Sequence, residues 1–334
     1  MAVMLGVDIG GTKMAVAAVD SSGRMVGDTL VRPTQTTSTE HFLEGLVRAT
    51  LDAHRIADGA GLDVLGLGLG CAGTVDWGRG TVVVSPHLPL HDTPVRARLA
   101  AATGLPTTLD NDAHVAALAE TRVGAARGLR HVVMLTLGTG VGGGLVLDGR
   151  LYRGATGSAA EFGHLRVADD GEACNCGSRG CLEAYASGRA LERIARGLIR
   201  HQESCADGGV GHRRGEGYAA ALAALEVAGR LTGEAVGELA LQGDAAAGDA
   251  VREVAGWLGV GLTSLANAFN PEMIVVGGGL VTLGELLLGP ARAVLARCGL
   301  SPNREIARVE PAALGNEAGV VGAALVAWAQ HLGV

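Results

Sequence analysis

The chain has 334 residues, enough for two packed domains of ordinary size. Its formal net charge of −7 and sequence pI near 5.8 argue against a nucleic-acid partner, because such partners require a concentrated basic face. No run approaches the roughly 18 uninterrupted apolar residues of a membrane span and no basic signal-peptide region opens the chain, so we expect a cytoplasmic protein without a membrane partner.

The first third of the chain alternates strand patterns with helix patterns. Met4–Asp8 and Met14–Val19 predict a hairpin with glycines at its bend. The further elements predicted here are helices at residues 39–58, 95–103 and 113–123 and strands at 62–70, 81–84 and 106–109. The last of these strands leads to Asp110-Asn111-Asp112 at its carboxyl end, where α/β sheets place their ligands.

The strand–glycine–strand pattern restarts at residue 131, which favours two domains of similar plan. A predicted strand at 131–136 leads into the glycine turn Leu137–Gly144 and a strand at 145–147. The later predicted elements are helices at 188–201, 218–231, 249–269 and 318–331 and a strand at 273–276. The polar, glycine-rich segment Glu203–Gly217 predicts a mobile loop, with no role indicated by its residues.

The densest chemical motif lies between residues 161 and 183. Three cysteines have C-x-C-x4-C spacing, and a histidine stands ten residues upstream. Thiolates and imidazole suit zinc, and four protein ligands close a structural tetrahedral site. We therefore predict structural zinc on His164, Cys174, Cys176 and Cys181. Glu161 and Glu183 flank the cluster and are expected to be free for a substrate.

Two glycine-rich turns follow apolar strands, at Gly10-Gly11-Thr12-Lys13 and at Gly138-Thr139-Gly140. Backbone N–H groups exposed in such turns bind anions, and the presence of two turns favours phosphate. Taken singly, either turn is as compatible with a plain hairpin bend. Neither has the P-loop spacing, and the second turn continues as a strand instead of opening a helix, which excludes a dinucleotide fingerprint.

Asp112 is the candidate catalytic residue. A carboxylate at a strand end can accept a proton from a hydroxyl, and the Asn111 amide can hydrogen-bond neighbouring hydroxyls in both directions. An N-cap of the following helix is the alternative role for this motif. Together with the glycine turns, these residues predict a site for a polyhydroxylated substrate and a nucleotide, as in a sugar kinase.

Five motifs, in this order, resemble the ROK family of sugar kinases, repressors and related proteins. They are Asp8-Ile-Gly-Gly-Thr-Lys13, Leu137–Gly144, Glu161-Phe-Gly-His164, the cysteine cluster and Val275–Gly279. The resemblance implies an α/β protein with the actin-like ATPase (hexokinase-type) fold, two α/β domains around a cleft. The implied domains are a smaller one of residues 1–112 plus about 315–334 and a larger one of 113–314 with the zinc-binding motif.

The resemblance also implies a role for each motif. Asp112 would be the general base, and Asp8 would help hold the Mg²⁺ that accompanies ATP. The residues implied to contact the sugar are Gly73, Asn111, Asp112, Glu161, His164 and Glu183. Those implied to contact ATP are Asp8, Gly10, Gly11, Thr12, Lys13, Gly138, Thr139, Gly140, Gly277, Gly278 and Gly279.

The implied reaction is ATP-dependent phosphorylation of a hexose hydroxyl, with glucose to glucose 6-phosphate as the first candidate. Cys71-Ala72 and His87 depart from many family members, so an amino sugar, an N-acetyl sugar or a cyclitol stays open as the substrate. Polyphosphate stays open as the donor, because turn N–H groups bind phosphates without reading a base. A sugar-sensing regulator is not expected, since only seven residues precede Asp8 and no helix-turn-helix is seen. The resemblance favours a homodimer or homotetramer.

Overall fold

The computed structural model describes residues 1–206 and 217–333. The strands are β1 (Ala2–Ile9), β2 (Lys13–Val19), β3 (Met25–Pro33), β4 (Asp63–Cys71), β5 (Thr74–Asp76), β6 (Thr81–Val84), β7 (His91–Thr93), β8 (Thr107–Asn111), β9 (Val132–Leu137), β10 (Val141–Leu147), β11 (Arg150–Leu151), β12 (Met273–Gly277) and β13 (Arg308–Pro311). The helices are α1 (Thr39–Gly59), α2 (Val95–Thr103), α3 (Asp112–Arg122), α4 (Glu183–Ala186), α5 (Gly188–Ala206), α6 (Ala220–Val227), α7 (Gly233–Leu241), α8 (Ala245–Phe269), α9 (Glu285–Cys298), α10 (Asn303–Ile306) and α11 (Ala318–Leu332). Within these ranges, no helix combines the length and hydropathy that a membrane crossing requires.

Two five-stranded sheets repeat one strand order. The first sheet runs β3-β2-β1-β4-β8 and the second runs β11-β10-β9-β12-β13. In the first sheet β1, β2 and β3 pair antiparallel, whereas β1, β4 and β8 pair parallel. Each sheet therefore opens with a glycine-turn hairpin, as the restart of the sequence pattern predicted, and each adds two further strands beside its first strand.

Strand β3 is an element that the sequence pattern did not predict. Most of its residues are exposed, so it lacks the apolar alternation that marks a half-buried strand. It forms the edge of the first sheet, where one side of the strand has no partner strand. Its pairing with β2 brings Pro33 opposite Lys13, at the end of the first glycine turn.

Two later predictions differ from the structure. Helix α5 extends to Ala206, so the predicted loop does not begin at Glu203, and its residues 207–216 lie outside the described residues. The helix predicted at 218–231 covers only Ala220–Val227, and it is followed by α7, which was not predicted.

By its internal contacts the chain divides into two compact units, of which the first comprises residues 1–134, 143–160 and 312–334. One face of its sheet packs on α1, through core residues such as Val7 and Phe42. The other face packs on α11, where the Trp328 indole donates a hydrogen bond to the Val19 carbonyl at 3.1 Å. The sheet is thus buried between helices on both faces, as its parallel strands require.

Helix α3 belongs to this first unit, although the predicted boundary placed residues from 113 onward in the larger domain. Its apolar side, with Val115 and Leu118, packs on Val321 and Val326 of α11. Because α11 also covers the first sheet, the two helices join one core. The division by contacts therefore differs from the expected domain bounds.

The second unit comprises residues 135–142 and 161–311. Its longest helix is α8, with a buried side that includes Leu258 and Leu262. A Cβ added to Gly259 would lie 2.5 Å from Cβ of Val294, so α8 and α9 approach closely at this glycine. The rings of Tyr185 and Trp257, tilted by 36° with 4.4 Å between centroids, join α4 to α8.

Candidate active site

Three parallel strands of the first sheet end at one edge. The register sets Asp8 of β1 opposite Gly70 of β4, and Gly70 opposite Asp110 of β8. Asn111 and Asp112 follow directly. Since the carboxyl ends of parallel strands are where α/β sheets bind ligands, this edge is the candidate site of the first unit.

Asn111, and not Asp112, caps helix α3. Its Oδ1 accepts the backbone N–H groups of Ala113 and His114, at 2.8 and 3.1 Å. Its Nδ2 donates to the Gly73 carbonyl at 3.0 Å, which ties the helix start to the loop after β4. Burial raises the pKa of Asp112, against the opposing effect of the Ala113 N–H. Asp112 is therefore a carboxylate suited to taking up a proton.

Asp8 forms a second carboxylate at this edge. Burial and the neighbouring charge of Asp112 raise the pKa of Asp8 to about 6, and the Lys13 ammonium opposes them. The Asp8 carboxylate, beside the charge of Asp112, is a place where a hard cation is favoured, because such cations prefer oxygen ligands.

Gly319, in the first turn of α11, lies against Asp8 and was not predicted as a site residue. A Cβ added to Gly319 would lie 2.5 Å from Cγ of Asp8. The signal in the sequence is weak: a glycine near the start of an alanine-rich helix, where alanine has the better helix propensity.

The first glycine turn is held by the residue that follows β3. The Thr34 N–H donates to the Thr12 carbonyl at 2.9 Å, and its hydroxyl donates to the Gly10 carbonyl at 2.8 Å. Across the turn, the Gly10 N–H donates to the Lys13 carbonyl at 3.1 Å. The unpredicted edge strand therefore fixes the shape of a predicted phosphate turn.

The two segments that depart from the family pattern lie differently. Cys71 is fully buried, and burial raises the pKa of its thiol. Its side chain belongs to the core beneath the strand edge. His87 is exposed and adjoins the first glycine turn, since a Cβ added to Gly11 would lie 3.0 Å from Cβ of His87. Of the two, His87 is the one that can reach a ligand.

In the second unit, the turn Gly138–Gly140 is braced by Glu183. The Glu183 Oε2 accepts the Val141 N–H at 3.0 Å, and a Cβ added to Gly140 would lie 2.4 Å from that oxygen. The Gly188 N–H at the start of α5 donates to the Gly138 carbonyl at 2.8 Å. The sequence suggested that Glu183 is free for a substrate. In the structure one of its carboxylate oxygens instead holds the turn.

The glycines after β12 meet the same turn. Gly278 has a φ of 85°, in the left-handed region that favours glycine. A Cβ added to it would lie 2.4 Å from the carbonyl oxygen of Leu137, the last residue of β9. The predicted nucleotide motifs Gly277–Gly279 and Gly138–Gly140 are therefore neighbours within the second unit.

The cysteine cluster is assembled as a set of four ligand atoms. All four lie within 4.8 Å of one another, on His164, Cys174, Cys176 and Cys181. Nδ1 of His164 is 3.7 Å from the Cys174 sulfur, and the Sγ atoms of Cys176 and Cys181 are 3.8 Å apart. A tetrahedral zinc with bonds of about 2.3 Å to sulfur has sulfur–sulfur edges of roughly 3.8 Å, so the donor set fits this metal.

Glu183 also touches the cluster. Its Oε1 lies 3.7 Å from the Cys174 sulfur, while its Oε2 holds the glycine turn. One carboxylate therefore links the cysteine cluster to the turn.

Glu161 precedes a short helical turn, Phe162–His164, in the same unit, and His164 is the last residue of that turn. A Cβ added to Gly163 would lie 2.1 Å from the Val141 carbonyl oxygen, so the turn rests directly on the start of β10. Phe162 is buried against Phe269, with 5.6 Å between ring centroids. Both polar side chains are exposed on a firmly packed support.

Comparison with known proteins gives matches along almost the whole chain. Residues 4–330 match the ROK family. A glucokinase of Streptomyces coelicolor is 40% identical over 325 residues, 97% of each chain, and one of Halalkalibacterium halodurans is 36% identical over 327 residues, 95% of this chain and 92% of the relative. A crystal structure of a ROK family glucokinase from Streptomyces griseus in complex with glucose and AMPPNP is 40% identical, covers 97% of this chain and 98% of its own, and has a TM-score of 0.80.

Proposed function

The chain belongs to the ROK family, and we propose that it is a sugar kinase that transfers the γ-phosphoryl group of ATP to glucose. The observation that carries the proposal is the strand edge with Asp8, Asn111 and Asp112, in a chain that is 40% identical over 97% of its length to a glucokinase with glucose and AMPPNP bound.

Asp112 acts as the general base in this proposal. As a sugar hydroxyl oxygen forms its bond to the γ-phosphorus, the bond from that phosphorus to ADP breaks and the hydroxyl proton passes to Asp112. Asn111, held by its hydrogen bonds to Gly73 and to the helix N-terminus, orients the sugar hydroxyls. Phosphoryl transfer needs positioning more than covalent chemistry, and a base on a capped helix start meets that need.

The glycine turns supply the phosphate contacts. In this proposal, backbone N–H groups at Gly10–Lys13 and Gly138–Gly140 would bind phosphate oxygens. Gly277–Gly279, whose Gly278 contacts Leu137 before the second turn, would adjoin the adenosine. The Asp8 carboxylate is suited to hold the Mg²⁺ that accompanies ATP. When bound, this Mg²⁺ would neutralise charge on the phosphates.

We also propose that the cysteine cluster holds structural zinc. Its four ligand atoms leave no open coordination position, so the metal would not act as a Lewis acid. With Nδ1 of His164 directed at the cluster, Nε2 is the atom left for a sugar hydroxyl. The zinc would hold the Cys174 loop, and through it Glu183 and the glycine turn, in place.

The test is ADP production by the purified protein with MgATP against glucose, mannose, glucosamine, N-acetylglucosamine and a cyclitol. We expect kcat/KM for glucose to exceed that for each other compound by about tenfold or more. Preference for an N-acetyl sugar or a cyclitol would refute glucose as the substrate. No turnover on the panel, with ATP or with polyphosphate, would refute the kinase.

Gly319→Ala tests the placement of Asp8. The added methyl group would displace the Asp8 carboxylate, so we expect kcat/KM for MgATP to fall by about tenfold or more. The melting temperature should change little, because alanine is favoured over glycine in helices by about 1 kcal/mol. Steady-state kinetics at varied MgATP and a thermal melt give the two values.

Gly256→Ala is the matched control. This glycine lies within α8, and an added Cβ meets nothing within 4 Å. Its kcat/KM should stay at the level of the unsubstituted protein. If both variants lost activity equally, or if neither lost activity, the assigned role of Gly319 would be contradicted.

A further inference from the structure

His114 is a buried histidine beside the proposed base. It lies in the first turn of α3 and is 1% exposed. Its Nδ1 is 3.1 Å from Oδ1 of Asp110, and its Nε2 is 2.9 Å from the carbonyl oxygen of Ala159. Both ring nitrogens therefore face oxygens at hydrogen-bond distance.

Neither of those oxygens can donate a hydrogen. Asp110 is ionised, because Arg153 Nε donates to its Oδ2 at 2.6 Å and the Asn111 N–H donates to its Oδ1 at 2.9 Å. Although burial alone would raise the pKa of Asp110, His114 and Arg153 hold it below its ordinary value. A peptide carbonyl such as that of Ala159 only accepts. Both hydrogen bonds can then form only if each ring nitrogen carries a hydrogen, as in an imidazolium.

The charges around the ring agree with this state. Burial alone would lower the pKa of His114, but the bonds to Asp110 and to the Ala159 carbonyl outweigh it and raise the pKa, with Arg153 acting against them. Asp112 on the same helix adds a further negative charge. Of the elements packed on α3, β8 brings Asp110, β4 ends in the buried Cys71 thiol, β11 brings the exposed Arg150, and α11 packs through apolar residues.

His114 joins two parts of the first unit. Through Asp110 it holds the end of β8, where Asn111 and Asp112 begin α3. Through the Ala159 carbonyl it holds the bend at Ala160, whose φ of 61° is unfavourable for a residue with a side chain. Such a backbone angle persists only where the surroundings enforce it, and the His114 bond is one such restraint.

We propose that His114, as an imidazolium between Asp110 and Ala159, is a positioning residue that fixes the Asn111–Asp112 corner and the bend preceding Glu161. The proposal rests on the assignment of Asp112 as the base of the proposed kinase. A neutral imidazole could donate to only one of the two oxygens and would turn a lone pair toward the other. Loss of the proton should therefore loosen one of the two attachments.

The direct test is a measurement of the protonation state of His114. Long-range ¹H–¹⁵N spectra of protein labelled at its ten histidines would be recorded at about pH 7.5, above the ordinary histidine pKa of ~6.5. We expect one histidine with two imidazolium-type nitrogens, and its signals should be missing in His114→Asn. A spectrum of the unsubstituted protein with no imidazolium at this pH would overturn the proposal, whether or not the variant folds.

Kinetics tests the positioning role separately. We expect His114→Asn to lower kcat/KM for glucose by about tenfold and to flatten its decline at alkaline pH, because the variant has no imidazolium to lose. His54→Asn on α1 is the control and should keep the profile of the unsubstituted protein. If the pH profile of kcat/KM were lowered but kept its shape, His114 would have only a structural role and the positioning role would be refuted. If no sugar is phosphorylated at all, the proposed function fails, while the spectra still report the charge.

Discussion

Asp112→Asn should lower kcat for sugar phosphorylation by at least about two orders of magnitude while the affinity for glucose stays within about twofold. The amide keeps the size of the carboxylate and can still accept the Ala113 N–H that Asp112 accepts at 2.9 Å. It cannot take up the hydroxyl proton. Coupled-assay turnover and calorimetric titration of glucose measure the two quantities.

Asp63→Asn is the matched control for this variant. Asp63 is exposed at the start of β4, so the same substitution falls at the opposite end of a strand in the same sheet. Its kcat should equal that of the unsubstituted protein. Turnover retained by Asp112→Asn would remove Asp112 as the base, and loss of glucose binding as well would indicate a collapsed site instead of missing proton transfer.

Cys176→Ser should abolish stoichiometric zinc and raise the KM for glucose by about 10–100-fold. Cys176 is the exposed cysteine of the cluster, so the substitution leaves no cavity in the core and acts through the metal. Without the metal, the Cys174 loop loses its hold on Glu183, which braces the Gly138–Gly140 turn. Elemental analysis of the purified protein and glucose kinetics would be compared on the same sample.

Cys298→Ser provides the control, because Cys298 is also exposed but lies at the end of α9, outside the cluster. It should keep both the zinc content and the KM. Full zinc content in Cys176→Ser would refute the ligand set. Zinc lost without a change in KM would separate the metal from the sugar site.

The strand edge of the first unit could be predicted because it depends on local pattern. Apolar runs end at Asp8 and at Asp110-Asn111-Asp112, and parallel strands bring such ends together. The cysteine cluster could also be predicted from the sequence, because the ligand spacing within one loop limits which side chains can come together.

Contacts between distant parts of the chain could not be predicted in this way. Gly319 reaches Asp8 from the opposite end of the sequence, and only the packing of α11 on the first sheet reveals it. From the sequence we predict that the Glu183 carboxylate is free, and only the structure shows that it accepts a hydrogen bond from the Val141 N–H. Strand β3 was missed because its exposed residues carry no apolar period, although Thr34 at its end holds the first turn.

The shared strand order of the two sheets means that one plan of hairpin and added strands occurs twice in a single chain. The two units carry different side chains on this common plan: the first has the carboxylates Asp8 and Asp112, and the second has the cysteine loop between β11 and α4. The carboxylates and the cysteine cluster thus belong to separate units, so a substitution at one leaves the strands that support the other unchanged.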